Sequence, residues 1–248
     1  MAENFSVNRA VISLSGGQDS VSLALYYLAK GYEVKGYGFK YGQNHSIELD
    51  RARTLVDFLA SKGLPISYQI IDLTDAFNES ASALCGNGEI PKDEAYNSVN
   101  QKVTVVENRN IIFSSIIYGK ALAWSKRTDS NVTIALGIHA NDFSIYPDCR
   151  PESQEAARHC FEISNWGSER INYETPFVTK QKGELLKAGI DSLISMGLED
   201  DIDFVYSHTN SCYDPNEKGE ACGRCATCLE RIESWEFVGR KDPVKYQE

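Results

Sequence analysis

Residues 10–21 read Ala10-Val11-Ile12-Ser13-Leu14-Ser15-Gly16-Gly17-Gln18-Asp19-Ser20-Val21. Ala10 to Leu14 is a short, nearly continuous apolar run of the buried-strand type, and it stops just ahead of a glycine pair. From Ser20 the period changes. Val21, Ala24, Leu25 and Leu28 fall at i, i+3, i+4 and i+7, the stripe of an amphipathic helix that Gly31 closes. Two adjacent glycines between strand and helix let the backbone turn sharply and approach a ligand with no Cβ in the way. Amides at the start of the helix then converge on one point, where the helix dipole favours an anion. Ser15 and Ser20 add hydroxyl donors. The plainer reading of the same residues is a tight turn capped by Asp19 or Ser20. No G-x-x-x-x-G-K-[ST] and no G-x-G-x-x-G occurs in the chain.

The pattern of strand then helix repeats along the chain. Glu33 to Phe39 reads as a second strand, and Ala52, Leu55, Val56 and Leu59 carry the next helical stripe. Ile66 to Ile71 is a third strand. Residues 78 to 104 are polar and weakly periodic, which predicts a long loop or lid with one or two helical turns. Ile112, Ser115, Ile116, Gly119 and Leu122 form another stripe, and Val132 to Leu136 is a fourth strand ended by Gly137. Helices are predicted over 152–165 and 182–196, and the last 40 residues read as loop-rich and cysteine-rich. Strands alternating with helices predict βαβ units and a doubly wound, mostly parallel α/β sheet. Ligands on such sheets bind beyond the carboxyl ends of the strands, and the first such end is Ser15. We expect an α/β domain over residues 1–200 and a small segment, 201–248, packed on it.

The 248 residues are 42% apolar and 24% charged, an ordinary globular composition that excludes disorder and low-complexity architectures. The net charge is −10, so a basic footprint for duplex nucleic acid is missing. A small nucleotide is compatible with that charge, because a local backbone site plus Mg²⁺ can hold phosphates on an acidic protein. No apolar run has the length of a membrane span, and Met1 to Arg9 lacks signal-peptide character, so a cytoplasmic, reducing setting is expected. Of the seven cysteines, four fall within 17 residues as Cys212-x9-Cys222-x2-Cys225-x2-Cys228. In a reducing compartment that spacing points to a tetrahedral, structural Zn²⁺ site with Zn–S bonds of about 2.3 Å rather than to disulfides.

Other candidates lie beyond the fourth strand. Asp142-Phe143-Ser144-Ile145-Tyr146-Pro147-Asp148-Cys149-Arg150 follows Gly137 and can face the glycine loop. Carboxylates there suit guanine-like N–H edges, Arg150 suits a carboxylate, and aromatic rings suit stacking on a flat base. A proline-anchored turn with surface charges explains the same residues. Arg109 opens a predicted helix and could hold a phosphate, or could be a surface arginine. Lys182 by itself reads as solvated. His45 is a lone histidine of structural type.

Taken in order, SGGQDS at 15–20, Y-x-Q-x-H at 41–45, N-R-N at 108–110, D-F-S-x-Y-P-D-C-R at 142–150, T-P at 175–176, K-x-E at 182–184 and S-C-Y with C-G-x-C-x-x-C at 211–228 resemble one family. It is the bacterial 7-cyano-7-deazaguanine synthases of the queuosine pathway, within the ATP pyrophosphatase superfamily. The resemblance implies an adenine nucleotide alpha hydrolase-like (HUP-like) fold. It also implies an ATP-dependent carbon–nitrogen ligase that converts 7-carboxy-7-deazaguanine and ammonia to the nitrile through an adenylated carboxylate and an adenylated amide. By match of position, Leu14, Ser15, Gly16, Gly17, Gln18, Asp19, Ser20 and Val21 would hold ATP with Mg²⁺. Lys182, Arg109 and Asp19 would be catalytic. Asp142, Tyr146, Asp148 and Arg150 would bind the deazaguanine, and Cys212, Cys222, Cys225 and Cys228 would bind zinc. A homodimer is expected, with no duplex nucleic acid and no membrane as partner.

Three departures from the family's usual residues stand out. Ile145 replaces a glycine, Glu107-Asn108 replaces Pro-Gly, and Gln43-Asn44-His45 replaces Gln-Arg-His. Losing a glycine adds bulk beside the base pocket, and Glu107 adds negative charge near a phosphate-and-base site, which leads to an alternative expectation: the activated carboxylate is joined to a different amine, on a partner protein or small molecule. Sulfur transfer to tRNA fits poorly with the acidic charge, and a zinc-stabilised binding module without activity fits poorly with the intact SGGQDS.

Overall fold

In the computed structural model, residues 7–44, 46–86 and 88–248 are described; Met1–Ser6, His45 and Asn87 lie outside them. Five strands form a single sheet: β1 (Arg9–Ser13), β2 (Glu33–Lys40), β3 (Ile66–Asp72), β4 (Val132–Ala135) and β5 (Ile171–Glu174). Every pairing is parallel, and the spatial order is β3-β2-β1-β4-β5. The chain leaves β1 toward β2 on one side and later returns to pair β4 on the other. The carboxyl end of β1 is therefore the point where the winding reverses, the place where such sheets open a crevice. The fold is a doubly wound α/β fold, as the alternation of strands and helices predicts.

β1 shows how the sequence builds two cores. Ala10 and Ile12 point to one face and Val11 to the other, and all three are fully buried. The first face packs on α1 (Gln18–Ala29), α2 (Ile47–Ser61), α5 (Lys182–Ser195) and α6 (Ile202–Ser207). The second packs on α3 (Arg109–Thr128), with Phe161 of α4 (Pro151–Ser164) against it. Burying both faces of a strand is why strands one and four read as continuous apolar runs rather than as alternation.

β5, α6 and α7 (Ala226–Phe237) were not expected. β5 is a four-residue strand, Ile-Asn-Tyr-Glu, with one buried side chain, so it carries no apolar run to read. The cysteine-rich end contains a twelve-residue helix, α7, whose buried stripe includes Thr227, Glu230, Arg231 and Ser234. A helix that buries polar residues shows no hydrophobic period. Trp235 of α7 and Ile202, Val205 and Tyr206 of α6 share one buried cluster with α1 and α5, so this core runs across residue 200. The 78–104 stretch is a long connection with a helical turn at Val99–Thr104, as expected. No helix among the described residues is long and apolar enough to cross a membrane.

Candidate active site

Leu14 to Gly17 leaves β1 and enters α1 through Gly16, whose φ of +92° is a left-handed conformation. A Cβ on Gly16 would lie 2.2 Å from the carbonyl oxygen of Glu48, so the loop is seated directly on the first turn of α2. Ser15 Oγ accepts from the Gly17 amide (3.2 Å) and lies 3.1 Å from Ser20 Oγ. Leu14 and Val21 are buried in the core. Gln18 is also fully buried: its amide donates to Ser234 Oγ at 2.9 Å, and its carbonyl oxygen accepts from the Trp235 indole at 2.9 Å. The side chain of Gln18 thus ties the loop to α7 and turns away from the crevice.

A cavity of about 310 Å³ opens beside this loop. Ser15, Gly17, Asp19 and Ser20 form one side, Lys182 and His139 the floor, and Tyr41, Arg109, Tyr146 and Tyr213 much of the rest. Lys182, expected as a solvated lysine from its own position alone, is only 4% exposed. Its Nζ lies 2.6 Å from Asp19 Oδ2, 3.3 Å from Glu230 Oε2 and 3.5 Å from His139 Nε2. His139 Nε2 also lies 3.7 Å from Asp19 and from Asp142. Asp142 accepts from the His139 amide at 3.1 Å and from Tyr96 Oη at 3.1 Å.

These groups set one another's protonation. Burial alone would raise the Asp19 pKa, but Lys182 and His139 outweigh it and hold the carboxyl well below the usual range. Burial opposes charge on Lys182, and Asp19 and Glu230 overturn that to keep the ammonium firmly protonated. For His139 burial is likewise outweighed, first by Asp142, and its pKa rises. Asp19 Oδ1 and His139 Nδ1 are buried without a hydrogen-bond partner, and Glu230 Oε2 has only its ion pair with Lys182. Unsatisfied buried polar atoms are costly unless a ligand completes them.

Arg109 differs from Lys182. It donates to Tyr41 Oη at 3.3 Å and stands 5.6 Å over the Tyr41 ring and 6.0 Å over the Tyr146 ring. No ion pair involves it among the described residues. A cavity-lining guanidinium on aromatic faces with no carboxylate of its own is suited to an anionic ligand. Asp142 and Tyr146 line the same cavity; Asp148 and Arg150 do not. Asp148 accepts from Asn110 Nδ2 at 3.2 Å, so it positions a cavity residue from behind. Arg150 is exposed, precedes α4 and donates to the Phe143 carbonyl at 3.1 Å. Cys149 is buried against Asn110, and burial raises its pKa far enough to keep it a thiol.

Two of the three departures fall away from this space. Ile145 is 3% exposed within the core under α3 and does not line the cavity, contrary to the expectation that it crowds the pocket. Glu107 is exposed and accepts from Ser80 Oγ at 2.6 Å and the Ala81 amide at 3.2 Å, holding the start of the long connection. Asn108 has φ 55°, the left-handed conformation that glycine adopts without strain and asparagine tolerates better than most residues. Asn44 does line the cavity, and its amide donates to the Ala83 and Gly86 carbonyls at 3.0 and 2.8 Å.

The sulfur atoms of Cys212, Cys222, Cys225 and Cys228 all lie within 4.8 Å of one another, and all four residues are buried. Backbone amides of Cys222 and Asp214 point at Cys212 Sγ (3.2 and 3.3 Å), and those of Cys225 and Arg224 at Cys222 Sγ (3.2 and 3.4 Å). Four clustered sulfurs receiving N–H donors fit a thiolate cage for a tetrahedral metal. The cage borders the cavity through Cys212 and Thr227. It also anchors the long connection: Lys92 pairs with Cys225, the Asp93 amide donates to the Arg224 carbonyl at 2.8 Å, and Asp93 forms an ion pair with Arg224.

Sequence reading located the loop, Asp142, Arg109, Lys182 and the thiols. It missed His139, Glu230, Tyr96 and Tyr213. His139 follows the glycine that ends β4, a strand-end position that could have marked it. Glu230 was hidden because α7 has no apolar period.

Fold and site together define a doubly wound nucleotide-loop enzyme with a cluster of four thiols that could hold a metal ion. The chain belongs to the family described as Queuosine biosynthesis protein QueC, which matches residues 9–239. It is similar to the 7-cyano-7-deazaguanine synthase of Marinomonas sp. (strain MWYL1), 36% identical over 241 residues covering 96% of this chain and 98% of that one. The synthase of the same name from Caldicellulosiruptor bescii is 36% identical over 239 residues, 96% and 97% of the two chains. That from Pseudoalteromonas atlantica is 36% identical over 243 residues, 97% and 100%. Membership makes the chain an ATP-dependent synthase.

Proposed function

We propose that the protein converts 7-carboxy-7-deazaguanine and ammonia to 7-cyano-7-deazaguanine, using two ATP and releasing AMP and pyrophosphate. The observation that carries this reading is the cavity itself. It joins an anion-binding loop at a helix N-terminus, a guanidinium without a carboxylate partner, and the Asp142–Tyr96 pair. In this reading the phosphates lie on the amides of residues 15–20, within reach of Lys182 and Arg109. Mg²⁺ accompanying ATP would find Asp19, whose Oδ1 has no partner. Asp142 would accept from the deazaguanine N–H edge, with Tyr146 beside the ring.

Adenylation turns the carboxylate oxygen into a leaving group, and ammonia then gives an amide. Adenylation of the amide oxygen and loss of AMP leave the C≡N bond. Both rounds act on the same carbon, so one cavity can serve both. Zinc on the four thiols would be structural: it would hold α7, and with it Glu230, against the floor. A homodimer belongs to the same proposal; Ile163 and Trp166, 72% and 94% exposed just before edge strand β5, support a contact surface there. Sedimentation of the purified protein tests that part.

A different amine acceptor is not favoured, because Ile145 and Glu107, which suggested it, stand outside the cavity. The test is one incubation with ATP, Mg²⁺, ammonium and 7-carboxy-7-deazaguanine, read by mass spectrometry. Nitrile with two AMP per product is expected. Accumulation of amide with one AMP would move the reading to another acceptor, and absence of AMP would overturn it.

A further inference from the structure

We propose that Glu48, in the first turn of α2, binds ammonium in the cavity and accepts its proton as the nitrogen adds to the activated carbon. The inference rests on the reaction proposed above and supplies the base that it lacks. Ammonium is the prevailing form of ammonia at neutral pH, and it has no lone pair until a proton leaves.

Four carboxylates stand in or against the cavity: Asp19, Asp142, Glu230 and Glu48. Asp19, Asp142 and Glu48 line it, and Glu230 joins them through Lys182. Asp19 and Glu230 are bound to Lys182, and Asp142 to the His139 amide and Tyr96. Only Glu48 has no cation within ion-pairing distance among the described residues. Its one partner is Gln43, whose Nε2 stands 3.4 Å from Oε1. Gln43 is itself fixed, donating to the Phe39 carbonyl at 3.1 Å and accepting from the Tyr41 amide at 2.8 Å. The backbone of Glu48 supports Gly16, so its side chain starts directly beneath the loop that would hold the phosphates. A carboxylate in that place repels a phosphate and attracts a small cation. Ammonium is the one cationic substrate of the reaction.

The surroundings also tune it. Burial raises the Glu48 pKa, Gln43 and Arg109 partly offset that, and the outcome is about 7. Tyr41 just after β2 and Tyr68 of β3 are the other titratable groups that sense it, and both stay protonated near neutrality. A base with a pKa near the working pH is ionised often enough to act and basic enough to hold the proton.

In the first round ammonium passes one proton to Glu48, the N–C bond forms, the C–O bond to AMP breaks, and the nitrogen releases a second proton to solvent. In the second round the adenylated amide loses two N–H protons as AMP departs, and Glu48 accepts the first.

The experiment compares wild type with Glu48→Gln and Glu48→Asp in three assays. The first is exchange of ATP with pyrophosphate driven by 7-carboxy-7-deazaguanine without ammonium. The second is amide formation with ammonium from pH 5.5 to 9. The third uses hydroxylamine, which is unprotonated at neutral pH, in place of ammonium. For Glu48→Gln we expect exchange to persist, amide formation to fall about 10²- to 10⁴-fold, and hydroxamate formation to stay near the wild-type rate. The wild-type rate should climb through about pH 7 and level off above it. That limb should vanish in Glu48→Gln and return in part in Glu48→Asp. Unchanged amide formation, or exchange and hydroxamate falling together with it, would overturn the assignment. Wild type without exchange would overturn the parent reaction instead, which the first assay reveals separately.

Discussion

Helix α1 buries Val21, Leu23, Ala24, Leu25 and Leu28, whereas helix α7 buries Thr227, Glu230, Arg231 and Ser234 alongside Trp235. Both helices bear on the same cavity. The first is held by many small apolar contributions, each roughly proportional to area removed from water. The second is held by a few strong polar anchors. Arg231, 1% exposed, bonds Asp242 at 2.7 and 3.0 Å, Thr209 Oγ1 at 2.7 Å and the Tyr206 carbonyl at 3.1 Å. The four thiols hold the turn before α7. An apolar seam tolerates the loss of one contact, while an anchored one fails at its anchor.

Metal removal should show this contrast most strongly. A structural zinc site contributes about 10–16 kcal/mol, against about 5–15 kcal/mol for a whole domain. Chelation, or Cys225→Ser, is expected to unfold at least residues 209–248. Lys92 and Asp93, tethered to Cys225 and Arg224, should come free with them. Metal analysis combined with limited proteolysis checks this, with new cleavage expected in 78–104 as well as at the C-terminal end. Complete metal loss with an unaltered digest would show that the polar anchors suffice alone.

Arg231→Ala comes next. It leaves Asp242, whose side chain is 6% exposed, with the Tyr246 hydroxyl and Val244 amide but no cation, and removal of one member of a buried pair costs about 3–5 kcal/mol. Leu25→Ala, in the fully buried seam of α1, costs about 2–5 kcal/mol by cavity formation. The sums are close but the manner of unfolding should differ. In urea, Trp235 fluorescence of the Arg231 variant should change before far-UV circular dichroism, while the Leu25 variant keeps coincident transitions. Coincident curves for both variants would erase the distinction.

Gln18 joins the two regions. Although it lies inside SGGQDS, its side chain serves Ser234 and Trp235. Gln18→Ala leaves the buried Trp235 indole N–H without an acceptor, at about 1–3 kcal/mol. A Tm lower by several degrees with little change in KM for ATP is expected. A large rise in KM with an unshifted Tm would instead give the side chain a place on the nucleotide.

The same contrast explains what the sequence made legible. Strands one and four announce themselves as continuous apolar runs because both faces are buried, and helices α1, α2 and α5 by an apolar stripe at a fixed period. The glycine loop and the thiols are legible because their geometry demands rare residue types at short spacing. The floor of the cavity is not. Lys182 looks solvated in sequence because nothing local reveals three carboxylates brought from α1, α7 and the turn after β4. His139 and Glu230 acquire meaning only when β4, α5 and α7 meet, contacts made between residues some 40 to 90 positions apart. Ile145 misled for the converse reason: its neighbours in the chain line the site while its own side chain turns into the core.

The smallest effect concerns the departure at 107–108. Glu107 is exposed, and its carboxyl is held below the usual range by the Ser80 hydroxyl and the Ala81 amide. Substitutions at such exposed positions change stability by about 0.5 kcal/mol or less. Glu107→Ala should therefore leave Tm almost unmoved and leave KM for ATP and for 7-carboxy-7-deazaguanine unchanged. Its one visible consequence should be faster hydrogen exchange at Ser80 and Ala81, because the cap on the start of the long connection is gone. A marked change in KM for the deazaguanine would mean that the segment carrying Glu107 closes over the substrate, and would move residue 107 from the scaffold to the binding surface. The contrast with Arg231 is then complete. Both residues make charge-assisted hydrogen bonds, but one does so in water, which replaces the lost partner, and the other in the core, where nothing does.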